Sequence, residues 1–354
     1  MKKNLIGLTK QEISTILENL GAKKFQTKQL WTWIYYYGVS DFDLMTNLSK
    51  DLREKLKQNH TIQRHKIIKD LVSTDKTRKW LIEFSDKKQI EMVYIPEEDR
   101  GTFCISSQVG CAMGCKFCNT GTQGFERNMT AEEIVQQFMI GRDCLDEWNN
   151  ISKSIGQGRK ITNLVIMGMG EPLINYDNII KALNIISDPE GVAFSKRRIT
   201  LSTCGLVPQI QQLAKDCKVN LAISLHAATD EIRNQIMPIN LKYNIEEIME
   251  ACYYYAENTG YRRITFEYIM IKGLNDDLES AYKLIRLVRK YQIPAKFNLI
   301  PVNSWKGCNF KPPSISNVQK FAEVLINANY PCPIRKPRGQ DIMAACGQLK
   351  TESF

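Results

Sequence analysis

Apolar and polar positions follow two different periods along this chain, and each period predicts its own kind of element. At the start, Thr9-Lys10-Gln11-Glu12 has the form of a capping box, with Leu8 and Ile13 at staple positions. Ile13, Ile16, Leu17 and Leu20 then recur at helical spacing until Gly21. Helical patterning resumes in residues 28–35 and from Lys50 to Lys57, which predicts a small helical unit over 1–60. Between 66 and 95 the period falls to two. Lys79-Trp80-Leu81-Ile82-Glu83-Phe84 and Ile90-Glu91-Met92-Val93-Tyr94-Ile95 flank the polar turn Ser85-Asp86-Lys87-Lys88, and a short antiparallel β extension is expected over 61–100.

From residue 101 onward the two periods alternate. Strands are expected at 102–106, 162–167, 198–203, 219–225, 263–270 and 296–300, and helices near 130–145, 177–187, 208–216, 244–257, 278–290 and 315–328. Six βα units in succession predict an α/β core over 101–354, built as a parallel barrel or an open doubly wound sheet. Either architecture gathers ligands at the carboxyl ends of its strands. The polar stretch 151–160, with two glycines, reads as a mobile loop.

The residues with chemical character fall at those strand ends. Cys111, Cys115 and Cys118 form a C-x3-C-x2-C run after the first strand, with no fourth ligand nearby. Structural zinc takes four ligands, whereas an iron–sulfur cluster held by thiolates can leave one iron open. The run is that of the radical S-adenosylmethionine (SAM) enzymes, in which the open iron chelates SAM; a zinc or purely structural site is the alternative. Gly168-Met169-Gly170-Glu171-Pro172 follows the second strand, where its glycines suit close approach of a ligand or simply a tight turn. Ser202, Ser224, Leu225 and His226 end the third and fourth strands, and Asn303 lies beyond the sixth. Each serine alone also reads as a cap and the histidine as a structural one. Cys346 follows the basic segment Arg335-Lys336-Pro337-Arg338-Gly339, which is expected to lower its thiol pKa; a buried, inert cysteine near the tail is the alternative. Cys144, Cys204, Cys217, Cys252, Cys308 and Cys332 have no ligand spacing and read as structural.

Composition adds a partner and a compartment. Lys and Arg number 48 against 38 Asp and Glu, a net charge of +10 over 354 residues, which favours a polyanion such as nucleic acid. Aromatic residues interleaved with Lys23, Lys24 and Lys28 form either an RNA surface or a helical core. Eleven cysteines, three of them clustered, suit a reducing compartment. With no signal-like or membrane-length apolar run, the expected location is the cytoplasm.

Seven stretches, FCISSQVGCAMGCKFC, VIMGMGEPL, SKRRITLST, LAISLHA, MPIN, FNLIPVN and DIMAACGQL, are similar to those of the RlmN/Cfr radical-SAM RNA adenosine methyltransferases, and the similarity runs over nearly the whole chain. Val109, Pro172 and Arg338-Gly339 resemble the RlmN branch, which methylates carbon 2 of adenine, rather than the Cfr branch, which methylates carbon 8. Two positions depart from the family pattern, Met343 in place of Asp and Asn119 in place of Ala or Ser. The resemblance implies a partial (β/α)6 radical-SAM barrel with a [4Fe-4S] cluster on Cys111, Cys115 and Cys118. It implies SAM contacts at Gly170, Glu171, Ser202, Ser224, Leu225, His226 and Asn303. It also implies that Cys346 carries the methyl group, that Cys104 resolves the covalent RNA intermediate leaving a disulfide, and that Glu91 accepts the adenine proton. The implied partners are 23S rRNA, tRNA at the adenine beside the anticodon, and an electron-donor protein.

Overall fold

The computed structural model of the chain describes residues 2–148 and 159–351, so most of the loop expected over 151–160 lies outside the described residues. Six parallel strands, Gly101–Ile105, Asn163–Ile166, Ile199–Thr203, Asn220–Ser224, Ile264–Met270 and Ala295–Pro301, are neighbours in chain order. Each lies within a residue or two of its expected place. Alternation along them explains the layering. Phe103, Leu164, Leu201, Ile223, Phe266 and Phe297 are fully buried on the face covered by the helices Ala131–Cys144, Tyr176–Ser187, Val207–Asp216, Ile245–Asn258, Leu278–Lys290 and Ile315–Asn327.

The other face carries the chemistry. Register pairs Cys104 with Val165, Ser202 with Ala222, Ser224 with Glu267, and Glu267 with Asn298, so Cys104, Ser202, Ser224, Glu267 and Asn298 share one face. On a flat sheet the strands of Cys104 and Glu267 would stand about 19 Å apart. Yet Cys346 acts electrostatically on the Cys104 thiol and is itself acted on by Glu267. The six strands curl around a polar lumen, as a partial barrel does.

Three antiparallel strands, Lys66–Val72, Arg78–Glu83 and Gln89–Pro96, extend the same sheet rather than forming one of their own. Val93 pairs with Cys104, so Glu91 and Cys104 project on the same side of one continuous wall.

In the first sixty residues the capping box at Thr9 is formed, with Glu12 Oε2 accepting from the Thr9 N–H and Thr9 Oγ1 from the Glu12 N–H. Helices Lys10–Asn19, Phe25–Trp31 and Lys50–Asn59 enclose Leu30, Trp31, Ile34 and Tyr35. The Tyr35 hydroxyl accepts from the Gly7 N–H at 2.8 Å, and Lys10 reaches Asp188 and Glu190 of the barrel, each at 2.7 Å. The aromatic residues of this unit divide between the two expected roles: Trp31 and Tyr35 are core, whereas Phe25 and Tyr37 are more than half exposed. Among the described residues no helix is long and apolar enough to cross a membrane.

Candidate active site

The cysteine loop starts where strand Gly101–Ile105 ends and is stitched to the second βα turn. Ser106 Oγ donates to the Glu91 carbonyl at 2.6 Å and accepts from the Met169 N–H at 2.9 Å, while Gln108 Oε1 accepts from the Glu171 N–H at 2.9 Å. A Cβ on Gly170, whose φ is +96°, would fall 2.5 Å from Gln108. The glycine therefore admits the cysteine loop itself, a closer neighbour than the ligand expected from sequence.

Cys115 and Cys118 pack in an apolar cluster with Phe117, Ile236, Met237, Ile269, Ile271 and Val302, and Cys111 precedes them in the same loop. Burial pushes the Cys111 thiol up to about 12 and Cys118 to about 11, and the charge of Cys115 raises both further. The Cys111 and Cys118 thiols, desolvated in this setting, stay protonated until a cation compensates them. A donor set of sulfur alone suits iron–sulfur chemistry.

Cys204, read above as structural, belongs here. It packs on the same cluster, and a hydrogen bond with Cys115, together with burial, holds its pKa well above the ordinary value. Its N–H donates to Glu171 Oε2 at 2.7 Å, while Glu171 Oε1 accepts from the Leu173 N–H at 3.0 Å. Burial raises the Glu171 pKa against those bonds. The sequence did hold a signal for Cys204, its place immediately after the third strand.

Arg233 was not singled out from the sequence. Its buried guanidinium donates to the carbonyls of Leu225 (3.0 Å), Ser224 (3.2 Å) and Cys204 (2.6 Å), and to Asn240 Oδ1 (2.6 Å). It ties the ends of the third and fourth strands to the turn Pro238–Leu241. His226, at φ 60°, accepts at Nδ1 from the Ile269 N–H at 3.0 Å, which leaves its proton on Nε2. Burial, then the charge of Arg233, lowers its pKa to about 3, so the ring is neutral at physiological pH. Phe117 meets it edge-on at 4.8 Å. Ser202 and Ser224 are half-buried strand residues facing the lumen, not caps, and Leu225 is fully buried behind them.

Cys346, far along the chain, is held against the cysteine loop. Asn303 Nδ2 donates to the Cys346 carbonyl at 3.0 Å, so its amide is engaged with the C-terminal segment. The Asn119 N–H and Nδ2 donate to the carbonyls of Gly347 (2.7 Å) and Gln348 (3.0 Å), and Thr120 Oγ1 donates to that of Leu349 (2.5 Å). On the other side Glu91 Oε2 accepts from the Lys350 N–H at 3.0 Å, and Glu91 Oε1 pairs with Lys79 at 2.7 Å, both side chains being buried. Lys79 also donates to the Met343 carbonyl at 3.2 Å. Glu91 is thus no solvent-facing residue of an alternating strand. Both departures from the family pattern, Asn119 and Met343, lie within this segment's supports.

Cys346 is itself exposed, between the two walls that hold its segment. Burial within those walls raises its pKa, and Glu267 adds to the rise while Arg335 opposes it. The lowering expected from the basic segment is overturned because desolvation outweighs one nearby guanidinium. Cys104 faces it from the first strand; burial, with the Cys346 charge adding, pushes its thiol up to about 12.

Comparison with known proteins agrees with this geometry. Residues 3–62 match the ribosomal RNA large subunit methyltransferase N-terminal domain, and residues 105–285 the radical SAM superfamily. Over 99% of the chain, the sequence is 52% identical to a dual-specificity RNA methyltransferase RlmN of Rhodospirillum rubrum, covering 81% of that protein. It is 51% identical to the RlmN of Rhizobium meliloti, covering 89% of it. A radical SAM methyltransferase from Sphaerobacter thermophilus superposes with a TM-score of 0.91 at 39% identity, over 99% of this chain and all of the other. The cofactors of the superfamily, a [4Fe-4S] cluster and SAM, are those of this chain. The thiol-lined loop, the lumen and these relatives together establish that the chain belongs to the RlmN family of radical-SAM RNA methyltransferases.

Proposed function

We propose that this enzyme methylates carbon 2 of adenine, both in the peptidyl-transferase region of 23S rRNA and beside the anticodon of tRNAs, by way of a methyl group carried on Cys346. Cys111, Cys115 and Cys118 are the residues to hold the cluster, with Gly170, Glu171, Ser202, Ser224, Leu225, His226 and Asn303 around SAM. When bound, the cluster and SAM supply a carbon-centred radical, which is needed because an aromatic C–H carbon is no nucleophile. The chain's own part is positioning and proton transfer. Cys346 presents the methyl carbon to the base. Glu91 takes the adenine proton, and Lys79 at 2.7 Å stabilises its carboxylate. Cys104 then attacks the Cys346 sulfur, frees the methylated RNA and leaves a disulfide, which an electron-donor protein reduces.

The observation that carries this reading is the clamping of residues 346–350 between the cysteine loop and Glu91, within electrostatic reach of Cys104. Val109, Pro172 and Arg338-Gly339 support carbon 2 over carbon 8. In this reading residues 1–60 are an accessory unit that meets RNA through exposed Phe25, Tyr36 and Tyr37 with Lys23 and Lys24. Residues 61–100 are a β extension, 101–354 the catalytic core, and the enzyme works in the cytoplasm. Nucleoside mass spectrometry after incubation of the reduced enzyme with SAM and RNA should find 2-methyladenosine; a predominance of 8-methyladenosine would move the enzyme to the carbon-8 branch. The Cys104→Ala protein should accumulate a nuclease-sensitive covalent RNA adduct that is absent from Cys104→Ala/Cys346→Ala. Normal turnover by Cys104→Ala would remove Cys104 from the reaction.

A further inference from the structure

Across the lumen from the cysteine loop, Glu267 and Asn298 stand side by side on the fifth and sixth parallel strands. Each is only 4% exposed. Asn298 Nδ2 donates to Glu267 Oε1 at 2.8 Å, which turns the other ends of both groups away from each other's donors. Glu267 Oε2 and Asn298 Oδ1 are buried and have no hydrogen-bond partner among the described residues. A buried acceptor left unmet costs about 1–3 kcal/mol, more when it is charged, and native proteins keep few of them. Two on one wall, in neighbouring side chains, point to a ligand that brings the donors.

The surroundings narrow the ligand. Glu267 acts electrostatically on the Cys346 thiol, so its free oxygen belongs to the same lumen as that sulfur. The nearest cation, Arg335, is 42% exposed and keeps Nη2 3.6 Å from Oε1, too far for a hydrogen bond. This loose ion pair is made with Oε1, and among the described residues Oε2 has no hydrogen-bond donor. Two adjacent acceptors with no donor between them suit one group that offers two N–H bonds, and they repel a group that offers a lone pair. The exocyclic amine of adenine is such a group. Guanine carries an oxygen acceptor at that place.

Resting on the reading above, that adenine is the base methylated next to Cys346, we propose that Glu267 and Asn298 accept the two N–H bonds of the target adenine's exocyclic amine and so select adenine over other purines. Glu267 and Asn298 are then specificity residues. Neither exchanges a proton or electron with the substrate.

The test compares RNA hairpins carrying adenine or amine-free purine riboside at the target position. Purine riboside keeps its carbon-2 hydrogen, so both can be methylated. In the wild type, kcat/KM and RNA affinity should together favour adenine by roughly 10- to 100-fold, the scale of one or two hydrogen bonds to a charged acceptor. Glu267→Gln is isosteric, but either orientation of its amide turns a donor toward the amine in place of one of the two acceptors; the preference should fall to within about threefold. Asn298→Ala should lower it in the same direction. A ratio taken within one variant cancels differences in folding and cofactor loading. Equal use of both hairpins by the wild type, or a wild-type ratio retained in both variants, overturns the proposal. So does a retained ratio with weakened SAM binding in equilibrium dialysis, which would give the two acceptors to the cofactor's hydroxyls. If adenine RNA is not methylated at all, the function reading fails, and the affinity ratio still decides this proposal.

Discussion

Two buried carboxylates, Glu91 holding the chain just beyond Cys346 and Glu267 acting on the Cys346 thiol from another strand, are treated in opposite ways. Glu91 has Lys79 at 2.7 Å on one oxygen and the Lys350 N–H at 3.0 Å on the other. Glu267 has an amide donor and the more distant Arg335 on one oxygen and, among the described residues, no hydrogen-bond partner on the second. A satisfied acid fixes geometry, and here it pins the chain just beyond Cys346. An unsatisfied one keeps a position open. In the proposed reaction, the closed side holds the segment that carries the methyl group, and the unmet acceptors await the base. The largest expected effect tests the closed side: Lys79→Met strands the Glu91 carboxylate and should cost about 3–5 kcal/mol in urea unfolding, while Lys79→Met/Glu91→Leu recovers most of it. A single-variant cost below about 1 kcal/mol would break the contrast between the two walls.

The same contrast marks how far the sequence could be read. Strands and helices were legible because alternation along Phe103, Leu164, Leu201 and Phe266 is set by one buried face, a local property of the chain. The cysteine loop was legible because its three thiols share one short stretch. Cys204 was marked only by its place after the third strand and Arg233 not at all, since each acquires its meaning from partners distant in the chain, Cys115 of the cysteine loop for one and the carbonyls of Ser224 and Leu225 for the other. Charge along the chain misled for Cys346. The basic residues before it are sequence neighbours, but only Arg335 offsets the rise that burial imposes. The pairing of Glu267 with Asn298 follows from the register of two strands and has no mark in either strand alone.

An intermediate effect is expected at Asn119, where this chain departs from the Ala or Ser usual in its family. Its side chain supplies one of the bonds that hold the segment after Cys346, the 3.0 Å contact with the Gln348 carbonyl. The Asn119 N–H to Gly347 survives substitution because it is backbone. Asn119→Ala should therefore loosen the segment without releasing it, by about 1 kcal/mol. Hydrogen exchange at residues 348–350 should quicken roughly fivefold with little change elsewhere. Unchanged exchange would mean that Thr120 and Glu91 hold the segment without help.

The smallest expected effect has the opposite sign and concerns Glu267 in the absence of RNA. Burial raises its pKa above the ordinary value of 4.5, with Arg335 and Asn298 only partly opposing the rise. A carboxyl whose folded pKa is raised binds its proton more tightly in the folded state than in the unfolded one. Its contribution to stability is therefore fully present below pH 4.5 and is lost as pH climbs through the raised value. Glu267→Gln carries no proton to lose. It should match the wild type near pH 4 and exceed it by about 0.5–1 kcal/mol near pH 8, since a neutral amide leaves no uncompensated charge in the lumen. Urea unfolding at the two pH values gives the difference. A variant less stable than the wild type at pH 8 would mean that Arg335 closes on Glu267 in solution, and the open wall of the lumen would then be as closed as the other.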